Sequence, residues 1–250
     1  YRPSARVEPA RRAYDSNQPQ SLFSQSLNEN RSFRVYLPRG YRQHIQRRYP
    51  VVYLQDGQNI FDAGSFGSWN AQRMLDRCIS RGQMEEVIVV AVDHGMARWD
   101  DYVPAEDGGQ SFRYARFLAQ ELKPYIDRVY RTRTGAQDTA LLGSSLGGVC
   151  SLSIAWDHFH TFGKVASLSG SWWLKKFQHR MLGQTRRPLK IYLDSGNSGP
   201  YNDCIHHTLA LRDDLIGKLG YQLGHDLCHV VGDQQRSEEH TSELQSPCNL

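Results

Sequence analysis

Gly143-Ser144-Ser145-Leu146-Gly147 places a serine at the centre of a G-x-S-x-G pattern. The apolar run Thr139-Ala140-Leu141-Leu142 precedes it, and Gly148 to Trp156 follows with helical character. Strand, tight turn and helix are the surroundings a nucleophile elbow needs. Glycines flank such a turn because a Cβ there would strike the neighbouring strand and helix. Ser145 is then expected to point into a cleft above a sheet. The N–H of Leu146, at the helix start, is placed to donate to an oxyanion. The same five residues can also form a glycine-rich turn without chemistry, so the elements around them carry the argument.

Those elements read as strands alternating with helices. Pro50-Val51-Val52-Tyr53-Leu54 and Val87 to Val92 are continuous apolar runs, as in buried strands. Ser32 to Pro38 alternates like a half-exposed strand, and residues 1–30 read as a polar N-terminal segment. Trp69 to Arg81 has helical spacing. Phe112 to Tyr130 carries an apolar stripe through Tyr114, Phe117, Leu118, Leu122, Tyr125 and Ile126, with Pro124 a candidate kink. After the elbow come strands at Lys164–Leu168, Leu189–Leu193 and Asp226–Val231, with a helix over Thr208–Leu219. This order implies an α/β fold, a mostly parallel central sheet with helices on both faces. Asp56, Asp93, Ser145, Ser169 and Asp194 fall at the C-terminal strand ends, where such sheets carry their sites.

At this point the chain resembles the Putative esterase branch of the α/β-hydrolases, which holds feruloyl and acetyl-xylan esterases, esterase D-like enzymes, enterochelin esterases and mycolyltransferases. The similar blocks run from about Arg31 to Gln235. They include Arg34 to Pro38 with Gly40-Tyr41, Tyr49 to Asp62, Arg98 with Asp101-Tyr102 and Pro104, Glu121 to Asp127 with Tyr130-Arg131-Thr132, the elbow, and Phe162 to Ser169. The resemblance implies an α/β-hydrolase (esterase) domain over residues 31–235. It implies a serine carboxylester hydrolase with a Ser-His-Asp triad and an acyl-enzyme intermediate. An acyltransferase on the same machinery and a non-catalytic binding protein of this fold are the alternatives. It places the second oxyanion donor on the N–H of Gln58, after Asp56-Gly57. It places the acid in the loop after the penultimate strand, where Asp203 and Asp194 compete and Asp203 matches the family's position better. No cofactor and no metal is implied, and the partner is a small-molecule ester or acylated carbohydrate. Trp69, Trp172 and Trp173 are candidates to line the cleft, or equally to be core.

The histidine departs from the pattern. The family supplies it from the loop after the last strand, which is due here at about residue 236. Arg236 to Ser246 instead resembles a translated sequencing adapter, followed by Pro247 to Leu250. The natural sequence is therefore expected to stop at about Gln235, with 236–250 a non-native tail and the domain C-terminally truncated. His240 is not carried over. His229 lies within a strand and reads as structural, and His206-His207 reads as covering a helix start. The chain as written is expected to be nearly inactive, because a serine hydroxyl needs a base.

Composition restricts the remaining classes. The chain has 250 residues, 39% hydrophobic and 22% charged, enough for one domain with a sizeable core. The net charge of +4 comes without a nucleic-acid motif, and Arg11, Arg12, Arg47 and Arg48 read as a solvated basic edge. No apolar run is long enough to cross a bilayer. Cys78, Cys150, Cys204, Cys228 and Cys248 lack metal-ligand spacing and read as buried thiols. The compartment, cytoplasmic or secreted, is open.

Overall fold

A computed structural model describes residues 18–61, 68–197 and 204–232. Asp203, His240, Cys248 and the tail 236–250 lie outside the described residues. Eight strands form one sheet. They are β1 (Gln20–Ser24), β2 (Glu29–Tyr36), β3 (Val51–Leu54), β4 (Ile88–Val92), β5 (Thr139–Ser144), β6 (Lys164–Leu168), β7 (Lys190–Gly196) and β8 (Leu227–Gly232). Their order is β1-β2-β4-β3-β5-β6-β7-β8. β1–β2 and β2–β4 pair antiparallel, and all other pairs are parallel. The sheet therefore begins earlier than the alternation at Ser32 suggests. Gln20 pairs with Phe33, so residues 20–30, the end of the polar segment that reads as ordered, supply an edge strand and the start of β2.

Strand order determines which face each helix covers. The helices are α1 (Ala71–Ser80), α2 (Arg98–Tyr102), α3 (Ser111–Arg116), α4 (Lys123–Val129), α5 (Leu146–Asp157), α6 (Lys176–Leu182) and α7 (Ile205–Leu219). The step from β3 to β4 runs across the sheet in one direction, and the later parallel steps run in the other. Right-handed crossovers put α1 on one face and α3 to α7 on the opposite one. The cores follow this division. Val51, Tyr53, Val90, Leu141, Val165, Ile191 and Leu193 pack with residues of α3 to α7, while Leu54, Val89, Leu142, Ala166 and Tyr192 pack with Ala71 and Leu75 of α1. The period-2 alternation of each strand thus feeds two cores. The expected α/β-hydrolase architecture, helices on both faces included, is what forms.

The long helical stripe also forms, with a change of pitch inside it. A π-helical turn, Phe117–Leu122, joins α3 to α4. The N–H of Lys123 reaches back five residues to the Leu118 carbonyl. Pro124 has no N–H to offer the preceding turn, and the wider turn absorbs that loss without breaking the helix. Tyr114, Phe117, Leu118, Leu122 and Ile126 are all fully buried on the sheet side.

Candidate active site

β5 delivers Ser145 to the C-terminal edge of the sheet. The backbone there has φ 58° and ψ −122°, a conformation that costs a non-glycine residue of order 1–3 kcal/mol. Four hydrogen bonds hold it. The Ser145 N–H donates to the Leu168 carbonyl at 3.0 Å, and the Ser145 carbonyl accepts from Gly148, Val149 and Ser171 N–H at 3.1, 3.4 and 3.1 Å. Neighbouring glycines permit the close fit. A Cβ on Gly143 would lie 2.3 Å from the Gly147 carbonyl oxygen, and one on Gly148 would lie 2.4 Å from Ser167 Oγ. Leu146 is the first residue of α5, so its N–H is among those with no carbonyl one turn back. Ser145 Oγ lies 3.2 Å from the hydroxyl of the buried Ser171.

β3 and β5 run side by side with Leu54 opposite Leu142, which brings the Asp56-Gly57-Gln58 turn against the elbow. A Cβ on Gly147 would sit 3.4 Å from Asp56 Oδ2. Gly57 rests on the β4 backbone, where a Cβ would come within 2.5 Å of the Ala91 carbonyl carbon, so the position excludes any side chain. Asp56 is left-handed, with φ 57° and ψ 45°. Its amide donates to the Tyr102 hydroxyl at 2.9 Å. Arg98 grips both carboxylate oxygens, Nε to Oδ1 at 2.7 Å and a terminal nitrogen to Oδ2 at 2.8 Å. Burial alone would lower the Arg98 pKa, but the hydrogen bond and charge of Asp56 outweigh it and hold the guanidinium above its ordinary value. Gln55 is buried beside them, its Oε1 accepting the Tyr114 hydroxyl at 2.7 Å.

The remaining candidates separate by environment. Asp194 Oδ1 accepts the Ser169 N–H at 2.8 Å, so this carboxylate ties down the loop after β6. His229 stands in β8, with Nε2 3.3 Å from Ser195 Oγ and Nδ1 3.5 Å from Arg212. Burial first, and Arg212 second, lower its pKa. It thus engages β7 and α7. His206 and His207 occupy the first turn of α7, as the sequence suggests. Trp172 is fully buried among the α3–α7 core, so its cleft-lining reading gives way to the core one. Trp69 is half-buried and lines a cavity of about 470 Å³ with Leu54, Leu168 and Asp194 on the α1 side. Trp173 is exposed, and its ring lies 6.3 Å from that of Trp99. Sequence reasoning missed Trp99 and Ser171, and it saw Arg98 only as part of a matching block. Nothing local in the chain signals that Arg98 meets Asp56. Among the described residues, no cluster of three or more His, Cys, Asp or Glu could hold a metal, and Cys78, Cys150 and Cys228 are buried, whereas Cys204, at the start of α7, is only half-buried, contrary to its reading as a buried thiol.

Comparison with known proteins gives the family. Residues 24–212 match the family model described as "Putative esterase". The chain is 32% identical over 150 residues to "Uncharacterized protein YjcH" of Bacillus subtilis (strain 168), covering 59% of this chain and 59% of that protein's length. It is 24% identical over 222 residues to the "Ferri-bacillibactin esterase BesA" of the same organism, covering 76% of this chain and 72% of the relative. A solved "ferulic acid esterase" superposes with a TM-score of 0.72 at 19% identity, over 93% of this chain and 95% of that one. With more than half of its length matched by the family model, the chain belongs to the Putative esterase family.

Proposed function

We propose that the protein is a serine carboxylester hydrolase in which Ser145 attacks the ester carbonyl. The observation that carries this reading is the strained Ser145 at a strand-to-helix turn, with the Asp56-Gly57-Gln58 turn packed against it. A histidine base takes the Ser145 proton as the C–O bond forms. The carbonyl oxygen becomes an oxyanion held by the N–H groups of Leu146 and Gln58, each contributing about 3 kcal/mol of barrier lowering. Collapse expels the alcohol, which receives the proton from the imidazolium, and leaves an acyl-Ser145. Water, deprotonated by the same base, releases the acid and restores the serine. Asp203 is the carboxylate assigned to orient the histidine. Asp194 is the lesser choice because its carboxylate is engaged with Ser169.

The base is not assigned to His229, which engages Ser195 and Arg212, and the chain carrying residues 236–250 as written is expected to be nearly inactive. The class of substrate is a small ester or an acylated carbohydrate, in keeping with relatives named for ferulic acid and ferri-bacillibactin. The triad chemistry calls for no cofactor.

A fluorophosphonate probe tests the reading. It should label Ser145 in the protein made from the uninterrupted gene, and Ser145→Ala should abolish both labelling and hydrolysis of 4-nitrophenyl acetate. An unlabelled, folded protein from that gene would instead favour a binding protein of this fold. Transfer of the acyl group to added alcohol or sugar in preference to water would make it an acyltransferase.

A further inference from the structure

We propose that Arg98, acting through the carboxylate of Asp56, is a positioning residue that fixes the backbone amide of Gln58. The inference rests on the reading of Gln58 as an oxyanion donor. An oxyanion donor works only if it is aimed before the charge develops. The peptide that carries the Gln58 N–H joins Gly57 to Gln58, one peptide beyond Asp56, so the backbone angles of Asp56 together with those of Gly57 set its direction. The Asp56 angles are left-handed, a region that aspartate and asparagine tolerate better than other side chains but do not favour, so contacts that hold Asp56 there fix the turn. Gly57 cannot share the burden through a side chain, because the β4 backbone fills the space.

The holding comes from α2. Arg98 clamps both oxygens of the Asp56 carboxylate, and the hydroxyl of Tyr102, one turn later, accepts the Asp56 amide at 2.9 Å. The Arg98 guanidinium also lies 4.9 Å from the Tyr102 ring centroid, so the two arms brace each other. The helix itself is anchored by Asp101, whose carboxylate takes Arg31 of β2 at 2.7 Å and the Gly95 amide at 2.9 Å. The Asp56 and Arg98 side chains are 16% and 28% exposed, so water competes weakly for the pair. A planar guanidinium that donates two parallel bonds orients a carboxylate in a way a lysine ammonium does not. The closed turn offers a direct readout. Asn59 N–H donates to the Asp56 carbonyl at 2.9 Å, and Ile60 N–H to the Gly57 carbonyl at 3.2 Å.

The test measures residue-resolved amide hydrogen exchange in Arg98→Met, Arg98→Lys and Asp56→Asn, with kcat and KM in the protein from the uninterrupted gene. Arg98→Met should speed exchange at Asn59 and Ile60 by about 10-fold while central strand amides stay unchanged, with Arg98→Lys in between. Asp56→Asn is the sharper variant, since asparagine tolerates left-handed angles but lacks the charge. It too should loosen the turn. Exchange reads the turn whether or not the chain turns over, so its result is independent of the one on Ser145. Where esterase activity is present, kcat should fall about 10- to 100-fold with KM within about 2-fold, the signature of an interaction made in the transition state. Unchanged exchange at Asn59 and Ile60 would overturn the proposal, as would a rise in KM with kcat intact, which would make Arg98 a substrate contact.

Discussion

Replacing Gly143 with alanine puts a methyl group where the elbow has no room. Its carbon would lie 2.3 Å from the Gly147 carbonyl oxygen, 2.5 Å from the Gly147 carbonyl carbon and 2.8 Å from Gln55 Cγ. Real Cβ contacts essentially never fall below 3.0 Å, so the first turn of α5 must retreat by about 0.7 Å. That turn is not free to do so. The Ser145 carbonyl accepts the Gly148 and Val149 amides, and the Ser145 amide is bound to Leu168. Overpacking of this kind costs about 1–3 kcal/mol, and the stiffer unfolded chain returns about 0.4–1 kcal/mol. The expected net loss is about 1.3 kcal/mol, or a fall in Tm of about 3–5 °C for a chain of this size. The same shift displaces Ser145 from the amides proposed to hold the oxyanion, and labelling by a fluorophosphonate should slow by about 10- to 100-fold. Gly217→Ala is the internal control. Its Cβ meets nothing within 4 Å, it sits in α7, and it should stabilise by about 0.5 kcal/mol. A Gly143→Ala protein with a Tm within about 1 °C of the parent and unchanged labelling would refute the packing argument.

Other expectations follow from the same geometry. Ser145→Gly and Ser145→Ala should both abolish labelling, yet the glycine variant should be the more stable by about 1 kcal/mol in urea, since only it is relieved of the positive φ; equal midpoints would mean the turn is unstrained. Arg31→Met should destabilise by about 3–5 kcal/mol, because it strands the buried Asp101 carboxylate, and adding Asp101→Asn should recover part of the loss. A single-variant loss below about 1 kcal/mol would contradict this. Burial lowers the pKa of His158, His207 and His229 below the ordinary 6.5. The unfolded chain therefore takes up protons first as pH falls, and these groups contribute stability above pH 6.5 that is lost below it. Urea unfolding at about pH 7.5 and about pH 5.5 should show the drop, with a smaller slope in His229→Gln; a flat profile would count against neutral, half-buried imidazoles.

Much of the architecture was legible because it rests on local chemistry. The runs at Val51–Leu54 and Val87–Val92 are apolar on both faces, and only a strand covered on both sides can bury them. The elbow glycines announce a turn in which no Cβ fits, and the stripe from Tyr114 to Ile126 repeats at helical spacing. Weak or ambiguous local signals were not legible. β1 is a half-exposed edge strand whose alternation is shallow, and it exists because β2 supplies its hydrogen bonds. Trp172 and Trp173 are the same residue type in adjacent positions, and only the backbone path of their loop sends one into the core and leaves the other beside Trp99. Asp56 and Arg98 are 42 residues apart, and His229 and Ser195 are 34 apart. Such contacts depend on which strands become neighbours, and no periodicity within one segment encodes that. The sequence by itself determined the strand and helix types, the tight turn at Ser145 and the family, since these are set by side-chain volume, polarity and spacing along the chain. The tertiary structure alone decided which charges meet at the Asp56-Gly57-Gln58 turn, because sheet order brings together groups that the chain keeps apart.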